Sequence, residues 1–315
     1  MPFWSKKFNP ADDLADLTGK VVIVTGGNTG IGYNTVKFLA RKGAKVYLGA
    51  RTEEKGRQAV EELKAEGTGS GEVIWFSCSL NTPAEAKASA EGFLQKESRL
   101  DILGATKDDA DKPSQDGITE MMMVNHIGTF QFTVPLLPLL IKTSEEEGSD
   151  VRIVNLASDA HRRGVAADPK ISFASLDIFK NFYPNEQIAY FARYFVSKLA
   201  NVLFTHSLTR RLAATKVICI SLHPGLVNTS LAAKSAYPRL IGVLLWLFGT
   251  DPAQGAYTSC FAAASPLVRA EPEKYKGAYL EPVGKIGAAS PNSQRVDLQD
   301  ELWATTERYL EGLGL

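Results

Sequence analysis

A glycine-rich turn directly after an apolar segment is the sequence feature that most constrains the fold. The segment Val21–Val24 leads into Thr25-Gly-Gly-Asn-Thr-Gly30-Ile-Gly32, and a helical pattern continues to Arg41. Glycines let the backbone turn tightly and approach a pyrophosphate closely, and the helix N-terminus presents free N–H groups to it. An ordinary glycine-rich turn is the alternative. The position between a strand and a helix of a βαβ unit favours a dinucleotide site.

Short apolar runs alternate with helix-like stretches along the 315 residues. This pattern implies a parallel sheet that is covered by helices on both faces and joined by right-handed crossovers. We predict a single doubly wound, Rossmann-type α/β domain over residues 20–315, after an extension over residues 1–19, with the C-terminal third as an elaboration. The predicted strands are Val21–Val24, Lys45–Leu48, Val73–Phe76, Leu100–Leu103, Val151–Leu156 and Lys216–Ser221, and the predicted helices are Gly30–Arg41, Thr52–Ala65, Pro83–Lys96, Gly117–Ile141 and Gln187–Ala213.

The composition excludes several classes of protein. Lys plus Arg and Asp plus Glu each total 35, so no basic excess favours a nucleic-acid partner. The cysteines Cys78, Cys219 and Cys260 are odd in number and lack metal-ligand spacing, so we expect no metal site, no disulfide framework and a reducing, cytoplasmic compartment. The start of the chain lacks the apolar core of a signal peptide. The longest apolar run, Leu240–Phe248, is shorter than the ~20 residues that span a bilayer.

The end of the second predicted strand bears on which dinucleotide is bound. It reads Gly49-Ala-Arg51-Thr52 and carries no acidic residue. An acid at this place holds the ribose 2′-hydroxyl of NAD, whereas an arginine can accept the 2′-phosphate of NADP. The sequence therefore favours NADP(H), with a solvated charge at a strand end as the alternative for Arg51.

A tyrosine and a lysine stand one helical turn apart in Tyr194-Phe-Val-Ser-Lys198. A nearby ammonium group lowers the pKa of a phenol from its usual ~10, so such a tyrosine can exchange a proton with an alcohol or ketone. Tyr33 and Lys37 have the same spacing, but they lie on the first helix past its phosphate-facing turn, and we interpret them as surface or packing residues. Ser158 stands at the end of the fifth predicted strand, in Asn155-Leu-Ala-Ser158, at the sheet edge where ligands bind. The candidate proton-transfer pair is therefore the one that follows Ser158.

These motifs occur in the order found in the short-chain dehydrogenase/reductase family, which the chain resembles over roughly residues 18–310. The shared motifs are T-G-x-x-x-G-x-G, the strand-end serine, Y-x-x-S-K and His223-Pro-Gly225. The retinol-dehydrogenase-like branch is the most similar, through Gly49-Ala-Arg51, Val124-Asn-His126, Ser158-Asp-Ala-His161, the segment Tyr194–Thr205 and Leu302-Trp303.

The resemblance implies roles for four residues. Tyr194 would be the general acid in carbonyl reduction and the base in alcohol oxidation, and Ser158 would orient the carbonyl oxygen. Lys198 would hold the nicotinamide ribose, and Asn125 would keep a water in a proton relay to it. Thr229 would contact the nicotinamide end. The implied cofactor-binding set is Gly26, Asn28, Thr29, Gly30, Ile31, Gly32, Arg51, Ser79, Leu80, Tyr194, Lys198, Pro224, Gly225, Val227 and Thr229.

Some of these residues have structural alternatives. Asn125 could merely cap or bend its helix. We expect His126, His161 and His223 to be structural, because nothing in the sequence gives them a carboxylate or serine partner.

Two positions depart from the family pattern. Ser79 stands where the family has an acid that contacts adenine. Residues 104–107, Gly-Ala-Thr-Lys, replace an Asn-Asn-Ala-Gly turn, and an acidic stretch expected to be solvated follows them. This altered turn leaves a rival interpretation open, namely an NADP(H)-binding protein with weak or no turnover that serves as a sensor or scaffold.

The substrate side of the sequence is apolar. Ser158 and Tyr194 are 36 positions apart, and the link between them is rich in aromatic residues. An apolar segment near residues 230–250 stands where the family keeps a substrate lid, which predicts a hydrophobic alcohol, ketone or aldehyde as substrate. Leu240–Phe248 could instead pack as core or dock on a partner, and a homodimer stays open. A peripheral membrane contact is weakly supported by Phe3, Trp4, Lys6 and Lys7.

Overall fold

The computed structural model describes residues 8–105, 114, 116–185, 189–227 and 249–315. They form one eight-stranded sheet in the order β3-β2-β1-β4-β5-β6-β7-β8. Every neighbouring pair is parallel except the last, β7 with β8, and the predicted doubly wound α/β fold is confirmed. The strands are β1 Val21–Thr25, β2 Lys45–Ala50, β3 Glu72–Ser77, β4 Ile102–Ala105, β5 Arg152–Leu156, β6 Ile218–Leu222, β7 Tyr279–Glu281 and β8 Lys285–Ile286.

Helices cover both faces of the sheet. Two short 3₁₀ turns, Asp159–Arg162 and Gly164–Ala167, follow β5. The helices are α1 Pro10–Asp13, α2 Gly30–Arg41, α3 Glu53–Glu66, α4 Pro83–Leu94, α5 Glu120–Glu145, α6 Asp177–Lys180, α7 Ala189–Arg211, α8 Pro252–Ala264, α9 Pro266–Ala270, α10 Pro272–Tyr275, α11 Pro291–Gln294 and α12 Val296–Gly312.

The central strand β1 explains why the core has two layers. All five of its residues are buried. Side chains alternate between the faces of a strand, so Val21 and Ile23 join one hydrophobic cluster while Val22 and Val24 join the other. The first cluster lies under α4, α5, α7 and α12, and the second lies under α2, α3 and α8. Because β1 pairs with both β2 and β4, the strand order reverses there, and ligands bind at such a switch point.

Helix α5 is continuous through two prolines but irregular. Its first part contains a π-helical turn, Met123–Gly128, and it tightens to a 3₁₀ turn at Val134–Leu136, where Pro135 removes a backbone donor. The helix is long and apolar enough to cross a membrane, yet 72% of its most apolar stretch is buried inside the molecule. This is the burial of a core helix.

The C-terminal third, which we predicted to be an elaboration of the domain, adds two strands to the main sheet. Strand β7 pairs in parallel with β6, and β8 closes the edge as an antiparallel strand. These strands have three and two residues. So short a run carries almost no periodicity, which explains why the sequence predicted only six strands.

Candidate active site

The glycine-rich turn leaves β1 and enters α2 with two residues in the left-handed region. Gly26 has φ +62° and Gly30 has φ +57°, which glycine adopts without strain. A Cβ on Gly27 would lie 3.0 Å from the Leu48 side chain and from the Val24 carbonyl oxygen. Thr29 precedes α2 without a side-chain hydrogen bond to the helix end. The first N–H groups of α2 are thus left for a ligand, and the turn fits a nicotinamide dinucleotide.

The remaining residues of the predicted phosphate turn lie beside it. Gly32 is buried in the first turn of α2, and Ile31 packs partly buried against the cluster under α2 and α8. Thr35, where the dinucleotide fingerprint has a small residue, is also buried. Its hydroxyl donates to the Ile31 carbonyl at 2.8 Å, so its polar atom is satisfied within the helix. Asn28 is half-buried at the turn.

Arg51 is exposed immediately after β2. It forms no ion pair with another residue in the part of the chain that the structure describes. Among the described residues, no carboxylate pairs with its guanidinium group, so this group can meet a ligand at this sheet edge. An exposed arginine of this kind suits a 2′-phosphate and equally suits solvent.

The loop after β3 holds Ser79 and Leu80. The Ser79 hydroxyl donates to the Glu85 carboxylate at 2.8 Å, and Glu85 lies in the first turn of α4. Leu80 is buried, and a Cβ on Gly128 would come within 2.2 Å of the Leu80 carbonyl oxygen. Gly128 therefore lets α5 press directly on this loop. Glu85 thus brings a carboxylate to Ser79, which stands where the family has an acid.

Tyr194 and Lys198 lie on α7, and Lys198 reaches the end of β5. The Lys198 ammonium lies 5.4 Å from the centre of the Tyr194 ring, and its side chain is fully buried. It donates to the Leu156 carbonyl at 3.3 Å, and Asn201 donates to the same oxygen at 3.0 Å. The last residue of β5 therefore holds the amine in place beneath the tyrosine.

Asn125 sits in the π-helical turn of α5 and faces α7. Its amide donates to the Ser197 hydroxyl at 3.2 Å, and that hydroxyl donates to the Tyr194 carbonyl at 2.9 Å. The Asn125 side-chain oxygen is buried without a partner among the described residues, as is that of Asn155. Both residues line a small cavity with room for about one water. The cavity also contacts Thr25, Leu80, Ala105, Val124, Thr129, Leu156, Asn201 and Phe204.

Ser158 lies two residues past β5 and is 9% exposed. Its hydroxyl oxygen accepts from the Ala160 N–H at 3.2 Å, and its carbonyl accepts from His161 Nδ1 at 2.6 Å. The contact of His161 is with the Ser158 backbone and not with its hydroxyl, so the expectation of a structural histidine stands. The serine main chain and side chain are both held, as an orienting group requires.

The segment after β6 approaches the same edge of the sheet. Gly225 has φ +94°, and a Cβ there would lie 3.2 Å from Pro282. Pro224 precedes it, and Val227, shortly before the predicted lid, pairs with Thr250 in an isolated bridge. Thr229 and most of the lid, including Leu240–Phe248, lie outside the described residues, as do Phe3, Trp4, Lys6 and Lys7.

The altered turn begins inside the sheet. Gly104 pairs with Val24 and Val154, and Ala105 pairs with Asn155. The backbone ladder therefore ties β4 to its neighbours without the family's asparagines. Thr106 and Lys107 lie outside the described residues.

The pair Tyr33 and Lys37 has the spacing of Tyr194 and Lys198 but different surroundings. Tyr33 donates to Glu66 at 2.7 Å, and Lys37 pairs with Glu66 at 3.1 Å. Burial and this carboxylate raise the pKa of Tyr33. The pair is a surface contact between α2 and the end of α3, as we interpreted it.

The short-chain dehydrogenase model matches residues 20–170, from β1 through the Ser158 turn. A short-chain dehydrogenase/reductase of Armillaria gallica is 40% identical over 98% of this chain and 98% of its own length. The chain belongs to the short-chain dehydrogenase/reductase family.

Human retinol dehydrogenase 11 is 40% identical over 78% of this chain and 73% of its own length, which confirms the predicted branch. A crystal structure of an uncharacterized protein from Mycobacterium paratuberculosis superposes with a TM-score of 0.71 at 25% identity, covering 97% of this chain and 98% of that one. As a short-chain dehydrogenase/reductase, the protein is an oxidoreductase of a family that transfers hydride with NAD(H) or NADP(H).

Three residues of this short-chain dehydrogenase/reductase site, Asn155, Asn201 and Glu85, carried no decisive sequence signal. Asn155 and Asn201 turn inward only because β5 and α7 pack together. Glu85 meets Ser79 through the capping turn of α4, where Thr82 accepts from the Glu85 N–H at 3.2 Å. The T-x-x-E spacing of that turn was visible in the sequence, but its partner was not.

Proposed function

We propose that the protein is an NADP(H)-dependent oxidoreductase that interconverts a hydrophobic secondary alcohol with a ketone, or an alcohol with an aldehyde. One observation carries the proposal: the buried Lys198 ammonium lies beneath the Tyr194 ring while Ser158 is held at the adjacent strand end. Burying an ammonium group is costly, so its place beside a phenol supports a role in the chemistry. It suits a tyrosine that must gain and lose a proton.

The proposed chemistry divides between the cofactor and the protein. The nicotinamide ring, when bound, supplies or accepts the hydride. In reduction, the Tyr194 hydroxyl gives its proton to the substrate oxygen, and in oxidation tyrosinate takes the alcohol proton. The Lys198 charge stabilises tyrosinate and its amine would hold the ribose. Ser158 would orient the substrate oxygen, and Asn125 with the small cavity behind it would hold the water that returns a proton.

The choice of NADP(H) rests on Arg51. It follows β2 directly and is exposed, and the strand end has no acid to hold a ribose 2′-hydroxyl. A charge-assisted hydrogen bond to the 2′-phosphate would favour NADPH over NADH. The other proposed cofactor contacts are the glycine-rich turn, Ser79 and Leu80, and the segment Pro224–Thr229.

An apolar substrate is supported by aromatic side chains in the first turns of α7, the helix that carries Tyr194. Phe191 and Phe195 have ring centres 6.0 Å apart, and Phe195 packs where Gly164 has no side chain. The name of the human relative specifies retinol, an apolar alcohol. We further propose a lid near residues 230–250, a domain over residues 20–315, and a cytoplasmic protein that touches a membrane surface through its N-terminal aromatic and basic residues.

The alternative is an NADP(H)-binding protein without significant turnover, which the changed residues 104–107 favour. An NADPH-oxidation screen against apolar ketones, aldehydes and quinones, with cofactor binding measured in parallel by fluorescence titration, separates the two. Turnover of any apolar carbonyl supports the enzyme. Tight NADPH binding with no turnover across the screen favours the sensor, and binding of neither cofactor would contradict both.

A further inference from the structure

His161 is buried and makes two hydrogen bonds that determine the position of its ring proton. The backbone N–H of Ser290 donates to Nε2 at 3.0 Å, so Nε2 must be the acceptor. Nδ1 therefore carries the proton and donates it to the Ser158 carbonyl at 2.6 Å. The imidazole is a neutral link between the proposed substrate-orienting serine and the start of α11.

The far end of this link is firmly held. Ser290 caps α11 by accepting from the Ser293 N–H at 3.2 Å. Asn292 donates to the carbonyls of Ala166 at 2.9 Å and Asp168 at 2.8 Å, which tie α11 to the turn that follows Ser158. The His161 ring also packs on Tyr279 with the ring centres 4.7 Å apart. Through this packing and these bonds, the C-terminal segment becomes a fixed support for the Ser158 main chain.

We propose that His161 is a positioning residue for Ser158: it fixes the serine carbonyl to α11, so that the hydroxyl keeps one direction toward the substrate oxygen. The inference rests on the proposed function of Ser158. A displacement of about 1 Å in a reacting geometry can cost about 10²-fold in rate. A link made of two hydrogen bonds resists such a displacement better than packing alone.

The surroundings of His161 keep it in this state. Burial lowers the pKa of His161 to about 4. The hydrogen bond to the Ser158 carbonyl and the Asp159 charge oppose this lowering of the pKa by favouring the charged ring, whereas Arg162 and His206 disfavour it. The ring thus stays neutral over the pH range in which such an enzyme is assayed. A protonated ring would place a second N–H against the Ser290 N–H and break the link.

A matched pair of variants tests the donor. His161→Asn keeps an N–H group at the place of Nδ1, whereas the leucine of His161→Leu is similar in size to asparagine and has no donor. We expect His161→Leu to lower kcat about 10²-fold with NADPH affinity unchanged, and His161→Asn to recover only part of that loss, because it keeps the bond to the Ser158 carbonyl but not the acceptor for the Ser290 N–H. Equal losses in both variants would show that the ring acts only by filling space, and would overturn the inference.

The same pair in a Ser158→Ala background tests whether the effect passes through the serine. We expect His161→Leu to cost nothing further there, because the group that it positions is already gone. Losses that multiply would overturn the inference.

If His161→Leu does not fold, Ser290→Pro replaces it. Ser290 has φ −63°, which proline adopts, so only the donated N–H and the cap are lost. Ser290→Ala loses the cap alone and is the control, and we expect only Ser290→Pro to lower kcat.

A measurement without turnover keeps the inference separate from the proposed function. Nitrogen-15 NMR of the NADPH-saturated wild-type protein should show His161 neutral, with the proton on Nδ1, from pH 8 to pH 5. A His161 ring that titrates near its usual pKa of about 6.5 overturns the inference even if the enzyme is active. A wild-type protein with this tautomer but no turnover would contradict the proposed function and leave the link itself confirmed.

Discussion

The Lys198 ammonium lies 5.4 Å from the centre of the Tyr194 ring and is tied to the end of β5 through the Leu156 carbonyl, 3.3 Å away. The lysine therefore reaches the tyrosine from the sheet side, where water is excluded. The charge can act on the phenol with little screening.

Tyr194→Phe should abolish turnover, with a loss of about 10²–10⁴-fold in kcat, because it removes the hydroxyl that we propose gives its proton to the substrate oxygen. NADPH binding should change little. Tyr33→Phe is the matched control, since Tyr33 has a lysine at the same spacing but binds Glu66. Steady-state kinetics and fluorescence titration of both variants check this, and surviving turnover in Tyr194→Phe would remove that residue from the mechanism.

Arg51→Ala should erase the preference for NADPH over NADH. Losing one charge-assisted hydrogen bond of about 1.5–3 kcal/mol corresponds to roughly a 10- to 100-fold change in Kd for NADPH. Arg57→Ala is the control, because that arginine lies on the following helix, α3, and pairs with Glu53 at 2.7 Å. Equal affinities of the wild-type protein for the two cofactors would contradict the assignment of Arg51.

Ser79 and Glu85 should select the adenine amino group. The Ser79 hydroxyl proton is committed to Glu85, so its oxygen can only accept. The wild-type protein should therefore bind the hypoxanthine analogue of NADPH, which has a keto oxygen in place of the amine, about 2–10-fold more weakly than NADPH.

Two variants test this selection. Ser79→Ala should lose the discrimination, and Glu85→Ala should reduce it because the freed hydroxyl can then donate. Glu91→Ala, on the same helix, should keep it. If all three variants discriminate like the wild-type protein, Ser79 does not contact the base.

Asn125→Leu should lower kcat by about tenfold or more while NADPH affinity stays within about twofold. The substitution removes both the bond to Ser197 and the polar wall of the small cavity, so the relay water loses a partner. Thr133→Val, a buried change farther along the same helix, is the control for general disturbance of α5. An unchanged kcat would indicate that Asn125 only bends the helix.

His126 should make the folded state sensitive to mild acid. It is fully buried among Phe130, Phe179 and Phe204, and burial lowers its pKa to about 3. Its folded pKa lies below the unfolded value, so its contribution is complete above pH 6.5 and is lost as the pH falls. Each pH unit below about 6.5 should cost up to about 1.4 kcal/mol from this residue.

Urea denaturation at pH 7.0 and 5.0 measures this loss. His126→Phe should show a smaller fall in the free energy of unfolding between the two pH values than the wild-type protein. An identical fall in both would place the acid sensitivity elsewhere.

The sequence alone was sufficient to predict the fold class and the order in which the site residues follow the strands and helices. Four-residue apolar runs between helical patterns predict buried parallel strands, and α2 begins and ends where the pattern predicts, at Gly30 and Arg41. The tight turn from β1 into α2 requires glycines at particular positions, so its motif could be identified from a short stretch of sequence. The positions of Ser158 at a strand end and of Tyr194 on the next long helix followed from chain order alone.

Tertiary structure decided which polar groups meet. Nothing in the chain order joins His161 to Ser290, Ser79 to Glu85, or Asn125 to Ser197, because these partners come from different elements. Short β7 and β8 likewise form only because β6 offers an edge to pair with. The physical reason is that backbone geometry and hydrophobic periodicity act over a few residues, whereas the direction of a buried polar side chain is set by whatever donor or acceptor the packed fold brings to it.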